Sequence, residues 1–191
     1  MGDITFYECS GLVTVNLPST LKTIGIKTFE NCTALKHVNF ARNSRIQVLP
    51  NTTFKGCTAL ESIELPASLT EITGVDILGG ASSNNIGLFS TCTALKRVTF
   101  AEGSQCTKIG ISAFEKSALE EFTVPSSVTT IESRAFAFTK ITGISFPRTV
   151  TRIGDYLFQA CTELMSVDLG AGVTEIPDGT FANCEKLTSF T

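Results

Sequence analysis

Seven cysteines and one histidine are the side chains of this 191-residue chain whose types could support chemistry. Thiols form disulfides, bind zinc and act as nucleophiles, and histidine serves as a general base. Six of the cysteines occupy one position of a repeated phrase, each three residues after a phenylalanine. They are Cys9, Cys32, Cys57, Cys92, Cys161 and Cys184. This regularity indicates that the thiols belong to the construction of the repeat.

The spacing of the cysteines argues against a zinc site, because there is no C-x-x-C pair and a line of thiols does not make a tetrahedron. Disulfides between neighbouring repeats lie within Cα range if stacked strands are ~4.8 Å apart. Parallel side chains would, however, hold their Cβ atoms near ~4.8 Å instead of the usual ~3.8 Å. We therefore predict reduced, inward-facing thiols and no metal or other cofactor. Cys106 fills the slot that Val128 and Val150 take in other repeats.

The only histidine, His37, would need a nucleophile or an acid within reach to act in catalysis. The nearest cysteine in sequence, Cys32, is predicted to face inward. We therefore predict no catalytic residue and no enzymatic activity.

The phenylalanines define the elements that position these side chains. Successive phrases begin at Phe6, Phe29, Phe54, Phe89, Phe114, Phe136, Phe158 and Phe181, at intervals of 23, 25, 35, 25, 22, 22 and 23 residues. Each phrase contains a short segment of alternating apolar and polar residues, typical of a strand with one buried face. A second apolar pair marks the return side of each turn. The period predicts a solenoid in which each repeat buries its apolar side against its neighbours.

Composition excludes several classes of partner. The net charge is −3 and the pI about 5.2, and no run of basic residues occurs, so a nucleic-acid surface is not expected. The apolar segments are strand-sized and shorter than the ~18 to 20 residues of a membrane span, so this segment is not expected to insert into a membrane.

The phrases Phe29-Glu30-Asn31-Cys32-Thr33-Ala34-Leu35 and Phe158-Gln159-Ala160-Cys161-Thr162-Glu163-Leu164, with return segments such as Pro147-Arg148-Thr149-Val150-Thr151-Arg152-Ile153-Gly154, resemble the BspA-like leucine-rich repeat family. The resemblance extends over the whole chain. It implies an α/β-type leucine-rich repeat solenoid that is β-rich and right-handed, with a parallel sheet of about seven stacked 22–25-residue repeats and little regular helix.

The resemblance also implies a surface or secreted protein of a host-associated bacterium or parasitic protist, which binds host proteins. A host extracellular-matrix or plasma protein is the expected partner, and no ligand residues carry over from the family. The chain begins and ends inside a repeat, so we expect residues 1–191 to form a single domain within a longer array. Signal and anchor are then expected outside it.

Two features could form the binding site. The first is a pair of outward columns on the strands, whose candidate residues are Thr14, Asn16, His37, Asn39, Ser62, Glu64, Arg97, Thr99, Glu121, Thr123, Ser145 and Asp168. The second is an inserted loop at 73–88 within the third repeat, with candidates Asp76, Asn84 and Asn85. The alternatives are a solvated sheet face and a silent loop. A carbohydrate-binding module and a spacer that displays another domain remain open as other functions.

Overall fold

The computed structural model describes residues 1–73 and 86–191. In those ranges the chain winds through thirteen short strands and contains no helix. The strands, in chain order, are β1 Thr14–Leu17, β2 His37–Phe40, β3 Val48–Leu49, β4 Ser62–Leu65, β5 Glu71–Ile72, β6 Arg97–Phe100, β7 Lys108–Ile109, β8 Glu121–Phe122, β9 Thr130–Ile131, β10 Gly143–Ser145, β11 Arg152–Ile153, β12 Ser166–Asp168 and β13 Ser189–Phe190. The predicted parallel β-solenoid of about seven turns is confirmed.

One side of the solenoid, which we call the strand face, carries strands of two to four residues. They form three parallel ladders, β1-β2, β4-β6-β8 and β10-β12-β13. Side chains along each strand alternate between exposed and covered, for example in β1 and β4, because successive residues of a strand point to opposite faces. The predicted sheet is therefore present but divided in two places.

The opposite side, which we call the return face, carries a second parallel sheet that the sequence pattern did not reveal as strands. Its five two-residue strands run in the order β11-β9-β7-β5-β3. The inward residue of each is apolar, as in the register pairs of Ile72 with Ile109 and of Ile109 with Ile131. The return sheet is continuous over the five repeats that form it.

The core is organised by the phenylalanines at the head of each phrase. Phe29, Phe114 and Phe158 are fully buried, as predicted. Each head ring stacks on the next, with centroid separations between 5.4 Å and 5.8 Å along the whole series. Such offset stacks stabilise by more than the apolar area they bury.

The turns around these rings have their own hydrogen-bonded ladder. The Phe29 N–H donates to the Thr53 carbonyl at 3.0 Å, and the Asn31 N–H donates to the Lys55 carbonyl at 2.8 Å. Residues two before and two after a head phenylalanine adopt left-handed φ values, such as 55° at Lys27 and 60° at Asn31, with Gly87 before Phe89 as the exception. The turns thereby satisfy backbone groups that a buried loop would otherwise leave unpaired.

The cysteines three residues after the head phenylalanines form the cysteine column. Most of them donate hydrogen bonds within the turns that hold the head phenylalanines, and we call this region the corner of the solenoid. The Cys57 thiol donates to the Phe29 carbonyl of the preceding repeat at 3.2 Å, and the Cys92 thiol donates to the Phe54 carbonyl at 3.0 Å. Other pairs of turns have the same contact from thiol to carbonyl, at 3.0 Å or 3.1 Å. These pairs are Cys32 with Phe6, Cys161 with Phe136 and Cys184 with Phe158. Cysteine is thus a small apolar residue that also donates across the repeat boundary.

Alternation along the strands predicts inward side chains at Phe40, Phe100 and Phe190, and the repeated cysteine position predicts one at Cys9. These four predictions need correction. Cys9 is exposed, and Phe190 is 54% exposed because β13 pairs with β12 on one side. Phe40 and Phe100 are half-buried. Each is followed by a longer connection to the first apolar residue of the return side. The step from Phe40 to Ile46 and the step from Phe100 to Cys106 are six positions each, whereas the step from Leu17 to Leu21 is four.

Candidate functional site

The twelve candidate residues of the strand face are all exposed. They occupy outward positions because the residues between them, such as Val15, Ile63 and Val98, are buried at 9% exposure or less. The structure therefore places the two predicted columns on the surface. Whether they bind a partner is a separate question.

The register brings these residues together in short groups. Thr14 is paired with His37 and Asn16 with Asn39. Ser62, Arg97 and Glu121 follow one another on β4, β6 and β8. Glu64 lies opposite Thr99, and Ser145 lies opposite Asp168.

Few of these side chains interact with each other. The Asn39 amide donates to Asn16 Oδ1 at 2.9 Å, and the Ser145 hydroxyl donates to Asp168 Oδ2 at 3.0 Å. The Arg97 guanidinium lies 3.7 Å from the Glu121 carboxylate, with both side chains largely in solvent. An exposed pair of this kind contributes about 0 to 1 kcal/mol, so both charges remain available to a partner.

Grooves run along the strand face, one of them at a break between ladders and others along paired strands. The first groove, about 700 Å³, lies between β2 and β4, and residues Ala101 to Gly103 of the fourth repeat form part of its wall. The second groove, about 570 Å³, lies beside β6 and β8 on the other side of that connection. A third, about 470 Å³, lies along β10 and β12. The longer connection after Phe100 thus borders both of the larger grooves.

Aromatic and polar residues together line the second groove. Phe100 and Phe122 line it with their rings 6.1 Å apart in an edge arrangement. Arg97, Glu121 and Thr123 contribute polar groups to the same groove. An apolar recess surrounded by polar side chains is typical of the centre of a protein interface.

Three charged side chains of the return face pair with one another. Lys108 lies 3.1 Å from Glu71 and 3.0 Å from Glu132, all three partly buried. Partial burial lowers the pKa of Lys108, but the hydrogen bonds to Glu132 and Glu71 outweigh it and raise the pKa. The lysine stays charged and joins three repeats, so it serves the array itself.

The loop candidates Asp76, Asn84 and Asn85 lie outside the described residues, as does most of the 73–88 segment. At its two ends the repeat is regular. The Thr73 hydroxyl donates to the Leu49 carbonyl at 2.7 Å, and Leu88 is buried and accepts from the Phe54 N–H at 3.2 Å.

Phe138 lies at the surface of a shortened repeat and does not fill space in the core. Its side chain is 39% exposed. Lys116 and Arg134 lie over its ring at 5.6 Å and 5.9 Å. The sequence did carry a signal, since Phe138 is the one phenylalanine that fits neither repeated position.

No group of three or more metal-binding side chains occurs among the described residues. Burial raises the pKa of the thiols of Cys32, Cys106 and Cys161 to about 11 and that of Cys92 to about 12. The thiolate is the form of cysteine that acts as nucleophile and metal ligand. Because these thiols are protonated at neutral pH, they are poor nucleophiles and poor metal ligands there. In the described ranges no helix has the length and hydropathy needed to span a bilayer.

The repeat pattern, the parallel strands and the phenylalanine stack define a leucine-rich repeat solenoid. The family model for the BspA type leucine rich repeat region matches six copies, over residues 1–101 and 83–191. Because the match covers the chain from end to end, the chain belongs to the BspA-type leucine-rich repeat family.

Two solved structures illustrate the likeness. That of the pneumococcal vaccine antigen PcpA aligns with a TM-score of 0.62 and 24% identity, covering 93% of this chain and 50% of that chain. A leucine-rich repeat protein from Bacteroides ovatus aligns with a TM-score of 0.48 and 22% identity, over 100% of this chain and 63% of that chain. This chain thus spans half the length of the PcpA chain. A search of curated proteins finds no significant match.

Proposed function

We propose that this chain is a non-catalytic module for protein recognition, and that its strand face binds the partner. The observation that carries the proposal is the second groove, where Phe100 and Phe122 line a recess and Arg97 and Glu121 stand beside it. Interfaces draw most of their affinity from a few aromatic and arginine contacts near the centre. The other outward residues are small or polar and suit a complementary rim.

The location of the protein and the kind of partner are proposed from its family. Membership of the BspA-type family and the fold shared with a pneumococcal vaccine antigen support a surface or secreted protein. Adhesion to a host extracellular-matrix or plasma protein is the role proposed for it. The 73–88 insert is a second candidate for partner contact.

The test is a triple substitution of His37, Arg97 and Glu121 by alanine, followed by binding to a panel of purified extracellular-matrix and plasma proteins. All three side chains are exposed, so the melting temperature should change by at most about 3 °C. Loss of a central contact should speed dissociation, and loss of rim charge should slow association and weaken its salt dependence. Affinity should fall by about tenfold or more.

The matched control is Thr130→Ala with Arg152→Ala on the return face, which should bind like the unmodified chain. If a ligand is found and the triple variant binds it unchanged, the strand face is not the site. If the return-face control alone loses binding, the interface lies on that side. A chain that binds no member of the panel favours the spacer function.

A further inference from the structure

A cluster on the turns between the two sheets is independent of the strand face. We call it the head patch. It surrounds Phe138 at the surface and Glu115 in the interior, both absent from the sequence-based site. Its members are Glu115, Lys116, Arg134, Phe138, Tyr156 and Gln159.

Phe138 is placed where the backbone disfavours it. Its φ is 60°, a left-handed value that is unusual for a bulky residue. Three other repeats place Asn31, Gly56 and Asn183 at this position, types that tolerate left-handed backbone. The remaining four place Glu8, Thr91, Lys116 and Ala160 there, so Phe138 is the one aromatic residue at this position. The ring is also 39% exposed, so it contributes little to the core. Neither backbone preference nor core packing accounts for a phenylalanine at this position.

The buried Arg134 side chain contacts both surface rings. Its guanidinium lies 5.9 Å from the ring centroids of both Phe138 and Tyr156. Its Nη2 donates to Glu115 Oε1 at 3.2 Å, with the two side chains only 8% and 0% exposed. The buried acid neutralises this arginine and holds it between the aromatic rings. The rings are therefore preorganised.

Lys116 supplies the charge at the surface. Its Nζ lies 5.6 Å from the Phe138 centroid, and no carboxylate among the described residues forms an ion pair with it. Beneath it, three buried polar atoms have no hydrogen-bond partner within the described ranges: Glu115 Oε2, Arg134 Nε and Gln159 Oε1. Such atoms are rare in native structures. At the surface the patch thus combines an exposed ring with a cation, above a buried polar cluster.

The backbone of the patch is not available to an extended peptide. The Lys116, Arg134 and Phe138 N–H groups donate to carbonyls of the next repeat, at 3.0 Å, 3.0 Å and 2.8 Å respectively. Peptides that bind by strand addition need free main-chain groups. A ligand at this patch therefore cannot accept hydrogen bonds from these three main-chain N–H groups and must rely on the side chains for such donors.

We propose that the head patch binds an anionic saccharide, a pyranose that carries a carboxylate. The apolar C–H face of the sugar would stack on the Phe138 ring, as flat apolar surfaces do on aromatic faces. The carboxylate would pair with the Lys116 ammonium through a charge-assisted hydrogen bond. The site lies apart from the strand face and does not depend on the function proposed for it.

The experiment uses the whole chain with trigalacturonic acid and trisialic acid as probes, and maltotriose as the neutral comparison. Binding is measured by calorimetry, at low and at physiological salt. The proposal expects one acidic trimer or both to bind, with affinity that falls as salt rises, and maltotriose to bind more weakly by about tenfold. Binding of neither acidic trimer, or equal binding of maltotriose, would overturn it.

Two variants locate the site. Phe138→Asn and Lys116→Gln should each weaken binding by about tenfold or more, and the triple variant of His37, Arg97 and Glu121 should bind the acidic sugar unchanged. Asparagine tolerates the left-handed backbone at 138, so Phe138→Asn should leave the melting temperature unchanged or raise it. A fall of several degrees would show that the ring is structural and would overturn the proposal.

An acidic peptide is the competing ligand. Hexaglutamate should not displace the bound sugar at equal charge concentration, because it offers no flat apolar face for Phe138. If hexaglutamate binds as tightly as the trimers, the patch recognises negative charge alone and the saccharide proposal fails. The result is independent of any protein ligand of the strand face.

Discussion

In the corner of the solenoid the head phenylalanines follow one another from Phe6 to Phe181 without a break, whereas on the strand face the ladder of strands stops twice. Both regions are built from the same repeats. The corner repeats the same contacts in nearly every turn, including the thiol hydrogen bond to the preceding phenylalanine carbonyl. On the strand face, the breaks and the connections beyond the strands create grooves of different size.

The difference suggests that the two regions carry separate tasks. A continuous corner lets each repeat stack on the next, as a quasi-one-dimensional array requires. The strand face can then vary its connections, as after Phe40 and Phe100, without interrupting the stack. We therefore expect substitutions in the corner to change stability and substitutions on the strand face to change binding.

The largest expected effect is that of Phe114→Ala. The ring is fully buried and contacts Phe89 and Phe136 on both sides, so its removal should cost about 3 to 5 kcal/mol of unfolding free energy. Thr99→Ala, at an exposed strand-face position, is the control and should cost less than about 0.5 kcal/mol. Urea unfolding measures both, and equal costs would break the comparison between corner and face.

An intermediate effect is expected from alkaline pH. Burial raises the pKa of Cys92 to about 12 and of Cys161 to about 11, whereas an unfolded thiol titrates near ~8.5. Below the unfolded pKa both states hold the proton and the stability is complete. As the pH rises from there toward the folded pKa, only the unfolded state loses protons, so the folded state is destabilised.

For a fully buried thiol the loss approaches about 1.4 kcal/mol per pH unit within that window. Melting temperatures at pH 8, 9 and 10 should fall progressively, and Cys92→Ala should show a shallower fall. Alkylation of the native chain should label Cys9 first, and alkylation after unfolding without reductant should count seven thiols. A native chain stable from pH 8 to 10, or a count of five or fewer, would contradict the reduced, buried column.

The smallest expected effect is a gain from Ser117→Cys. Ser117 takes the cysteine position in its repeat, and its buried hydroxyl has no hydrogen-bond partner within the described ranges. A thiol there would bury more apolar volume and could donate to the Phe89 carbonyl, as Cys92 donates to that of Phe54. We expect a gain of about 0.5 to 1.5 kcal/mol.

Ser117→Ala is the matched control for that gain, because it removes the unsatisfied hydroxyl without adding a donor. If alanine stabilises as much as cysteine, the thiol hydrogen bond contributes nothing measurable. The corner would then be held by ring stacking and volume alone.

Much of the architecture followed from the sequence because its signals are local. A period of 22 to 25 residues, a phenylalanine at each head and two-residue alternation in each strand identify the repeat, the strand face and the buried columns. The twelve outward residues were placed correctly for the same reason. The direction of each side chain is set by the alternation along its strand. Reversing it would require a shift in the register of the whole strand.

Other features depend on how neighbouring repeats meet, and the sequence alone did not decide them. The strands of the return face are two residues long, and only the sheet that they form identifies them as strands. The ladder breaks and grooves arise between repeats whose connections differ in length. Phe138 is at the surface because its backbone position is set by the turn, and Arg134 reaches it from the same turn while Glu115 comes from the preceding repeat. The repeat sequence therefore determines what each turn buries, and only the stacking of the turns determines which side chains meet between them.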